Sequence, residues 1–101
     1  PFKSAYISAK HGLVGFTKTT ALEVAAKGIT VNAISPAYVR TALVEEQIEK
    51  QAQVHSIPKE QVIKEIMLAP MPQKEMIEPE EIGEIALFLC SDAARHINGH
   101  N

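Results

Sequence analysis

The sequence predicts an α/β chain that is mostly helical, with one clear strand. Three observations carry this. Apolar residues recur at helical spacing through a first segment that closes on Lys27-Gly28. The run Ile29-Thr30-Val31-Asn32-Ala33-Ile34 follows at once, is rich in β-branched residues, and ends before Pro36, which cannot donate to a sheet ladder. The third is a proline-and-acid start at Glu78-Pro79-Glu80-Glu81, followed by an apolar stripe at Ile82, Ile85, Ala86 and Leu89.

The first helix is expected from Ser4 to Lys27. Leu13, Phe16, Thr20 and Val24 mark one side, with Ile7, Val14, Ala21 and Ala25 nearby. Ser8, Gly12, Gly15 and Thr19 make a slim side where another helix could approach. A glycine inside a helix costs about 1 kcal/mol relative to alanine, so two of them suggest close packing. Lys27-Gly28 is a helix stop: a cation in the last turn, then a residue that tolerates positive φ. A lone strand over 29–34 would leave its backbone unpaired, so the sequence implies a larger sheet than it can itself complete. A second helix runs from Thr41, the expected N-cap, to about Val54, with Glu45 and Glu46 early in it. A third starts at Ile57-Pro58-Lys59-Glu60 and runs to about Leu68, where Ala69-Pro70-Met71-Pro72 breaks it. Met67, Met71 and Met76 read as packing residues that fill irregular gaps.

Composition narrows the function classes. A net charge of -2 and the absence of a basic block give no reason to expect a nucleic-acid partner. The longest apolar run, Ile85-Ala86-Leu87-Phe88-Leu89-Cys90, is far too short to span a bilayer, so no membrane partner is expected. No cationic stretch followed by an apolar one opens the chain, and its single cysteine, Cys90, can form no internal disulfide. A cytoplasmic location fits both, and Cys90 reads as a small buried residue. His11, His55, His96 and His100 are scattered, and no metal site is expected. The chain opens without methionine one step before a helix and stops just after the turn signal Asn98-Gly99. It therefore reads as a piece of a larger domain.

The chemistry centres on Tyr6 and Lys10 in Ser4-Ala5-Tyr6-Ile7-Ser8-Ala9-Lys10. Four residues apart on a helix, the two side chains share a face. A phenol is a poor base at neutral pH, and an ammonium held beside it favours the phenolate. Such a phenol can exchange a proton with an alcohol or carbonyl. The spacing alone is a short pattern that any helix surface can carry.

Its surroundings are more specific. Tyr6-x-x-x-Lys10 is followed by His11-Gly12-Leu13-Val14-Gly15-Phe16-Thr17-Lys18, by Ala21-Leu22-Glu23, and by Gly28-Ile29-Thr30-Val31-Asn32-Ala33-Ile34-Ser35-Pro36. From Ser4 through Gly99 the order and spacing resemble the second half of the short-chain dehydrogenase/reductase family. That resemblance implies the C-terminal part of a single Rossmann-type domain, a doubly wound parallel sheet, over residues 1–101, with 41–77 as the substrate lid. It also implies an oxidoreductase using NAD, in which Tyr6 is the catalytic acid/base and Lys10 favours its phenolate and binds the nicotinamide ribose. Tyr6, Lys10, Pro36, Ala37, Val39 and Thr41 would then contact the cofactor, the loop Ser35 to Thr41 facing the nicotinamide and the Val39 backbone and Thr41 its carboxamide. The end of a parallel strand is also where ligands bind in open α/β sheets. Ala37 stands where glycine is common, and Ala42 where proline is common. A positive φ at Ala37 would cost roughly 1–2 kcal/mol. The family's serine, glycine-rich phosphate loop, cofactor-selecting acid and relay asparagine precede Tyr6 and have no counterpart in these residues.

A narrower likeness runs through Lys3-Ser4-Ala5-Tyr6, Tyr38-Val39-Arg40-Thr41, Leu43 to Ile48, Ile57 to Ile63, and Met67-Leu68. There the sequence is similar to the branch of the family that interconverts D-3-hydroxybutyrate and acetoacetate. A short hydroxyacid needs cationic and amide donors for its carboxylate. The resemblance assigns these to Lys3 and Gln47, with Tyr38 lining the pocket. Solvated side chains at Lys3 and Gln47, and plain loop packing at Tyr38, are the structural alternatives. Other activities within the family, such as a 3-oxoacyl reductase or a sugar-alcohol dehydrogenase, stay open. So does a non-catalytic fragment that only associates through its first helix, since family members form dimers and tetramers.

Overall fold

The computed structural model describes residues 2–101. Four helices follow in order: α1 (Ser4–Val24), α2 (Ala42–His55), α3 (Lys59–Gln61) continuing into a π-helical turn (Val62–Met67), and α4 (Pro79–Leu89). Short 3₁₀ turns follow α1 (Ala25–Lys27) and α4 (Asp92–Ala94). Contacts divide the chain into two units, residues 1–35 with 84–101 and residues 36–83.

In the first unit α1 ends as its sequence dictates. The 3₁₀ turn closes on Gly28 at φ 72°, whose N–H donates to Ala25 O. Residues 29–34 then form no β-strand: among the described residues no strand is formed. The reason is the one the isolated β-branched run implied, that a ladder needs a neighbour. The C-terminal segment supplies only a partial substitute. Gly99 N–H donates to Val31 O (2.8 Å) and Ala33 N–H to His100 O (2.9 Å), a pairing offset by one residue.

Two asparagines complete that pairing from their side chains. Asn98 Oδ1 accepts from Val31 N–H (2.8 Å), and Asn98 Nδ2 donates to Ala21 O on α1 (3.1 Å). Asn32 Nδ2 donates to Ile97 O (2.8 Å) while its Oδ1 accepts from His100 N–H (3.1 Å). Gly99 lies at φ +75°, and a Cβ there would stand 3.4 Å from Ala21 Cβ, so the turn seats directly on α1. Asn98-Gly99 is thus the turn its sequence signals.

The side of α1 that receives this turn carries Thr17 and Ala21, both buried, with Thr17 Oγ1 donating to Leu13 O (2.9 Å). Ala21 makes the contact with Gly99, while Leu13 and Phe16 are more than half exposed. A Cβ added at Gly12 or Gly15 meets nothing within 4 Å. Cys90 is exposed, not buried, and of the stripe on α4 Ile82 and Leu89 are half-buried while Ile85 and Ala86 are exposed.

The second unit has its own core. Ile48 of α2 and Val62 and Met67 of the α3 turn are buried, with Val44, Ala52, Ile57, Ile63 and Met76 packed around them. Thr41 caps α2, its Oγ1 accepting from Val44 N–H (3.3 Å). α2 stops at Ser56, whose left-handed φ of 53° lets its N–H reach Ala52 O and Gln53 O. The helix after Pro58 reaches Met67 as expected, but its second half widens to π geometry, with Leu68 N–H donating to Ile63 O (2.8 Å). Lys74 Nζ caps the carbonyls this end exposes, donating to Leu68 O and Ala69 O. α4 opens with Glu81 Oε2 accepting from Glu78 N–H (2.6 Å), the helix start its acids foretold.

Candidate active site

Tyr6 and Lys10 lie on successive turns near the start of α1, in the first unit. Lys10 Nζ stands 5.5 Å from the centroid of the Tyr6 ring, within range of a cation–π contact. Helical spacing alone brings them together, since α1 is regular from Ser4 onward. Tyr6 is 59% exposed. One turn further on, His11 Nδ1 is engaged with Ile7 O (2.9 Å). Lys3 immediately precedes α1, its carbonyl accepting from Ile7 N–H (2.8 Å), and its side chain is exposed.

The other expected site residues belong to the second unit. Pro36 and Ala37 are exposed, with the chain bending at Ala37. Ala37 is not among the residues at positive φ, which are Phe2, Ser56 and Lys74 outside glycine. Alanine therefore serves at this bend without the strain a left-handed conformation would impose. Val39 pairs with Ile77 in an isolated parallel bridge. Its hydrogen bonds run from Ile77 N–H to Tyr38 O (2.9 Å) and from Arg40 N–H to Ile77 O (2.8 Å). Backbone groups alternate along an extended chain, so this pairing turns Val39's own N–H and C=O to the opposite edge. An amide could be read there by one donor and one acceptor, and the Thr41 hydroxyl, which only accepts from Val44 N–H, keeps its hydrogen for donation. This donor set fits a carboxamide. Tyr38 is 37% exposed, and Gln47 is exposed on α2.

Sequence reasoning did not single out Arg40. Its Nε donates to Glu78 Oε1 (2.9 Å) and its Nη1 to Glu45 Oε1 (3.3 Å). The hydrogen bond to Glu78 and then that residue's charge hold the guanidinium still further above its ordinary range. Arg40 sits between two expected cofactor contacts, with an acid at the start of each flanking helix; that pattern was visible but carried no distance.

The chain has many relatives. The family model described as enoyl-(acyl carrier protein) reductase matches residues 1–101. A D-beta-hydroxybutyrate dehydrogenase of Rhizobium meliloti is 54% identical over 99 residues, 98% of this chain and 38% of that protein. One from Cupriavidus necator is 52% identical over 97 residues, 96% of this chain and 38% of that protein. An acetoacetyl-CoA reductase of Shinella zoogloeoides is 45% identical over 94 residues, 93% of this chain and 34% of that protein. The chain thus spans well under half the length of these curated relatives. Among solved structures, a short chain dehydrogenase family protein of Francisella tularensis superposes with a TM-score of 0.90 at 31% identity, covering 96% of this chain and 40% of that one. Actinorhodin polyketide ketoreductase with NADPH gives 0.82 at 33% identity, over 94% of this chain and 36% of that one. A 4-hydroxyisoleucine dehydrogenase complexed with NADH gives 0.78 at 35% identity, over 97% and 36%. The mostly helical architecture is accordingly a partial Rossmann fold. With Tyr6 and Lys10 paired on α1 and the match running the length of the chain, it belongs to the short-chain dehydrogenase/reductase family, in its C-terminal region.

Proposed function

We propose that this chain carries the acid/base residue and substrate lid of an NAD-dependent oxidoreductase that interconverts D-3-hydroxybutyrate and acetoacetate. The observation that carries this reading is the 54% and 52% identity to two D-beta-hydroxybutyrate dehydrogenases, in alignments long enough to run through residues 41–77. That this segment packs around a core of its own, Ile48, Val62 and Met67, supports reading it as the lid.

The nicotinamide, when bound, supplies the hydride acceptor. Tyr6 Oη takes the hydroxyl proton as the alcohol is oxidised and returns it in the reverse direction. Lys10 places positive charge beside the Tyr6 ring and offers three donors to the ribose hydroxyls. Val39's N–H and C=O and the Thr41 hydroxyl hold the carboxamide, with Pro36 and Ala37 shaping the loop before them. Lys3 and Gln47 bind the substrate carboxylate by charge and amide donation, and Tyr38 lines the pocket.

A second reading has its own support: the 45% identity to an acetoacetyl-CoA reductase favours a thioester as substrate. NAD is preferred over NADP through the hydroxybutyrate likeness alone, since one structural neighbour holds NADPH and another NADH. A substrate panel on the full-length enzyme separates these. The proposal expects turnover of 3-hydroxybutyrate with NAD and a large loss of rate when its carboxylate is esterified. Equal rates for acid and ester, or a preference for acetoacetyl thioesters with NADPH, would overturn it.

A further inference from the structure

The segment proposed as the lid leaves and returns at one place. It departs after Thr41, which caps α2, and comes back at Met76-Ile77, where Ile77 pairs with Val39. Two backbone hydrogen bonds close this junction, Arg40 N–H to Ile77 O and Ile77 N–H to Tyr38 O. An isolated bridge of this kind is weak by itself, because no neighbouring ladder reinforces it.

Arg40 adds what the bridge lacks. Its backbone makes one of the two bonds, and its guanidinium reaches across the same junction. Glu78 follows Ile77 and stands at the start of α4; Glu45 lies in the first turn of α2. One side chain therefore ties the departing helix α2 and the returning segment at Ile77-Glu78 to the loop between Val39 and Thr41. Glu78 is itself fixed, its N–H held by Glu81 Oε2. A forked guanidinium can serve two carboxylates in set directions, which a lysine ammonium does not reproduce.

We propose that Arg40 is a positioning residue: by bridging Glu45 and Glu78 it holds Val39 in register with Ile77, and so fixes Val39 and Thr41 for cofactor binding. This rests on the reading of Val39 and Thr41 as carboxamide contacts. Arg40 itself touches no reacting atom. Its influence falls on affinity, because the loop it holds contacts the cofactor away from the proton transfer at Tyr6.

Arg40→Met, Arg40→Lys, Glu78→Gln and the Arg40→Met/Glu78→Gln double variant test this in the full-length enzyme. Amide hydrogen exchange at Arg40 and Ile77 reads the clamp; NAD titration, together with KM and kcat, reads its consequence. Arg40→Met should speed exchange at both amides and weaken NAD binding about 3- to 10-fold, a loss in the range that a forked pair and a coupled bridge can carry, with kcat within about twofold. Arg40→Lys should recover less than half of the loss, and the double variant should bind NAD no worse than Arg40→Met alone. Unchanged exchange would overturn the clamp, whatever the substrate of the enzyme. Faster exchange with unchanged NAD affinity would overturn its link to the cofactor, as would a loss confined to kcat or strictly additive effects. An enzyme inactive on 3-hydroxybutyrate would refute the substrate reading while leaving the exchange and NAD-titration results intact.

Discussion

Replacing Asn98 by alanine should destabilise the protein by about 2–3 kcal/mol. The side chain joins three segments: it accepts from Val31 N–H, donates to Ala21 O on α1, and sits one residue before the turn at Gly99. Two hydrogen bonds at about 1 kcal/mol each, plus about 1 kcal/mol for stranding the half-buried Val31 N–H, give that figure. Against a total of about 5–15 kcal/mol for a folded protein, the loss is large. Asn32→Ala removes two further bonds to the same C-terminal segment, at Ile97 O and His100 N–H. If each segment end were held independently, the double variant would lose about 4–6 kcal/mol. Once residues 97–101 come loose, however, the second deletion has less to remove, so the double loss should fall short of the sum by at least about 1 kcal/mol. Equilibrium urea unfolding followed by far-ultraviolet circular dichroism measures all four species, provided the slope with denaturant is unchanged. A loss below about 0.5 kcal/mol for Asn98→Ala, or strict additivity with Asn32→Ala, would refute the idea that side-chain amides stand in for a missing strand.

Other outcomes follow from the same structure. Gly12→Ala and Gly15→Ala should each stabilise the 101-residue chain by about 1 kcal/mol, because a Cβ at either position meets open space and alanine favours the helix. Gly28→Ala should instead lose about 1–2 kcal/mol through its φ of +72°, although its surroundings are equally open. Thermal unfolding checks the sign, and destabilisation by Gly12→Ala would contradict the open space on that side of α1. The hydrogen bond from Lys59, then its charge, holds Glu49 below the ordinary carboxylate range, while the bond from Glu49 raises Lys59. The pair's contribution is therefore present at neutral pH and fades as pH falls below about 4.3 and through the depressed folded value of Glu49. It fades at the alkaline end too, as pH rises through the raised value of Lys59. Glu49→Gln should cost stability at pH 7 but not under strong acid, and less in high salt; a difference that persists in acid would contradict the assignment.

Much of the fold was legible because its punctuation is local. Lys27-Gly28, Thr41, Pro58 and Pro79 each act on the backbone within a turn, and each marks the boundary its sequence implies. What required distant partners was not legible. β-branched residues specify extended backbone over 29–34, but pairing depends on what lies alongside, and here Asn98 and Gly99 lie there. What covers α1 was not legible for a related reason: Ala21 lies against Gly99, far along the chain, which periodicity cannot show. No composition signal marks the π geometry after Gln61, whose carbonyls rely on Lys74 further along the chain. The site divides in the same way. Tyr6 and Lys10 are joined by helical spacing and were readable at once, whereas Arg40 acts through Glu78, far away in sequence, and only geometry reveals it.

The most direct test is the turnover of Tyr6→Phe in the full-length enzyme, measured beside its affinity for NAD. The substitution removes only the hydroxyl from an exposed ring that Lys10 Nζ overlies at 5.5 Å. If Tyr6 moves the substrate proton, oxidation of 3-hydroxybutyrate should fall by about 10²- to 10⁴-fold while NAD binding is largely kept. Turnover at the wild-type rate would contradict the account at its centre.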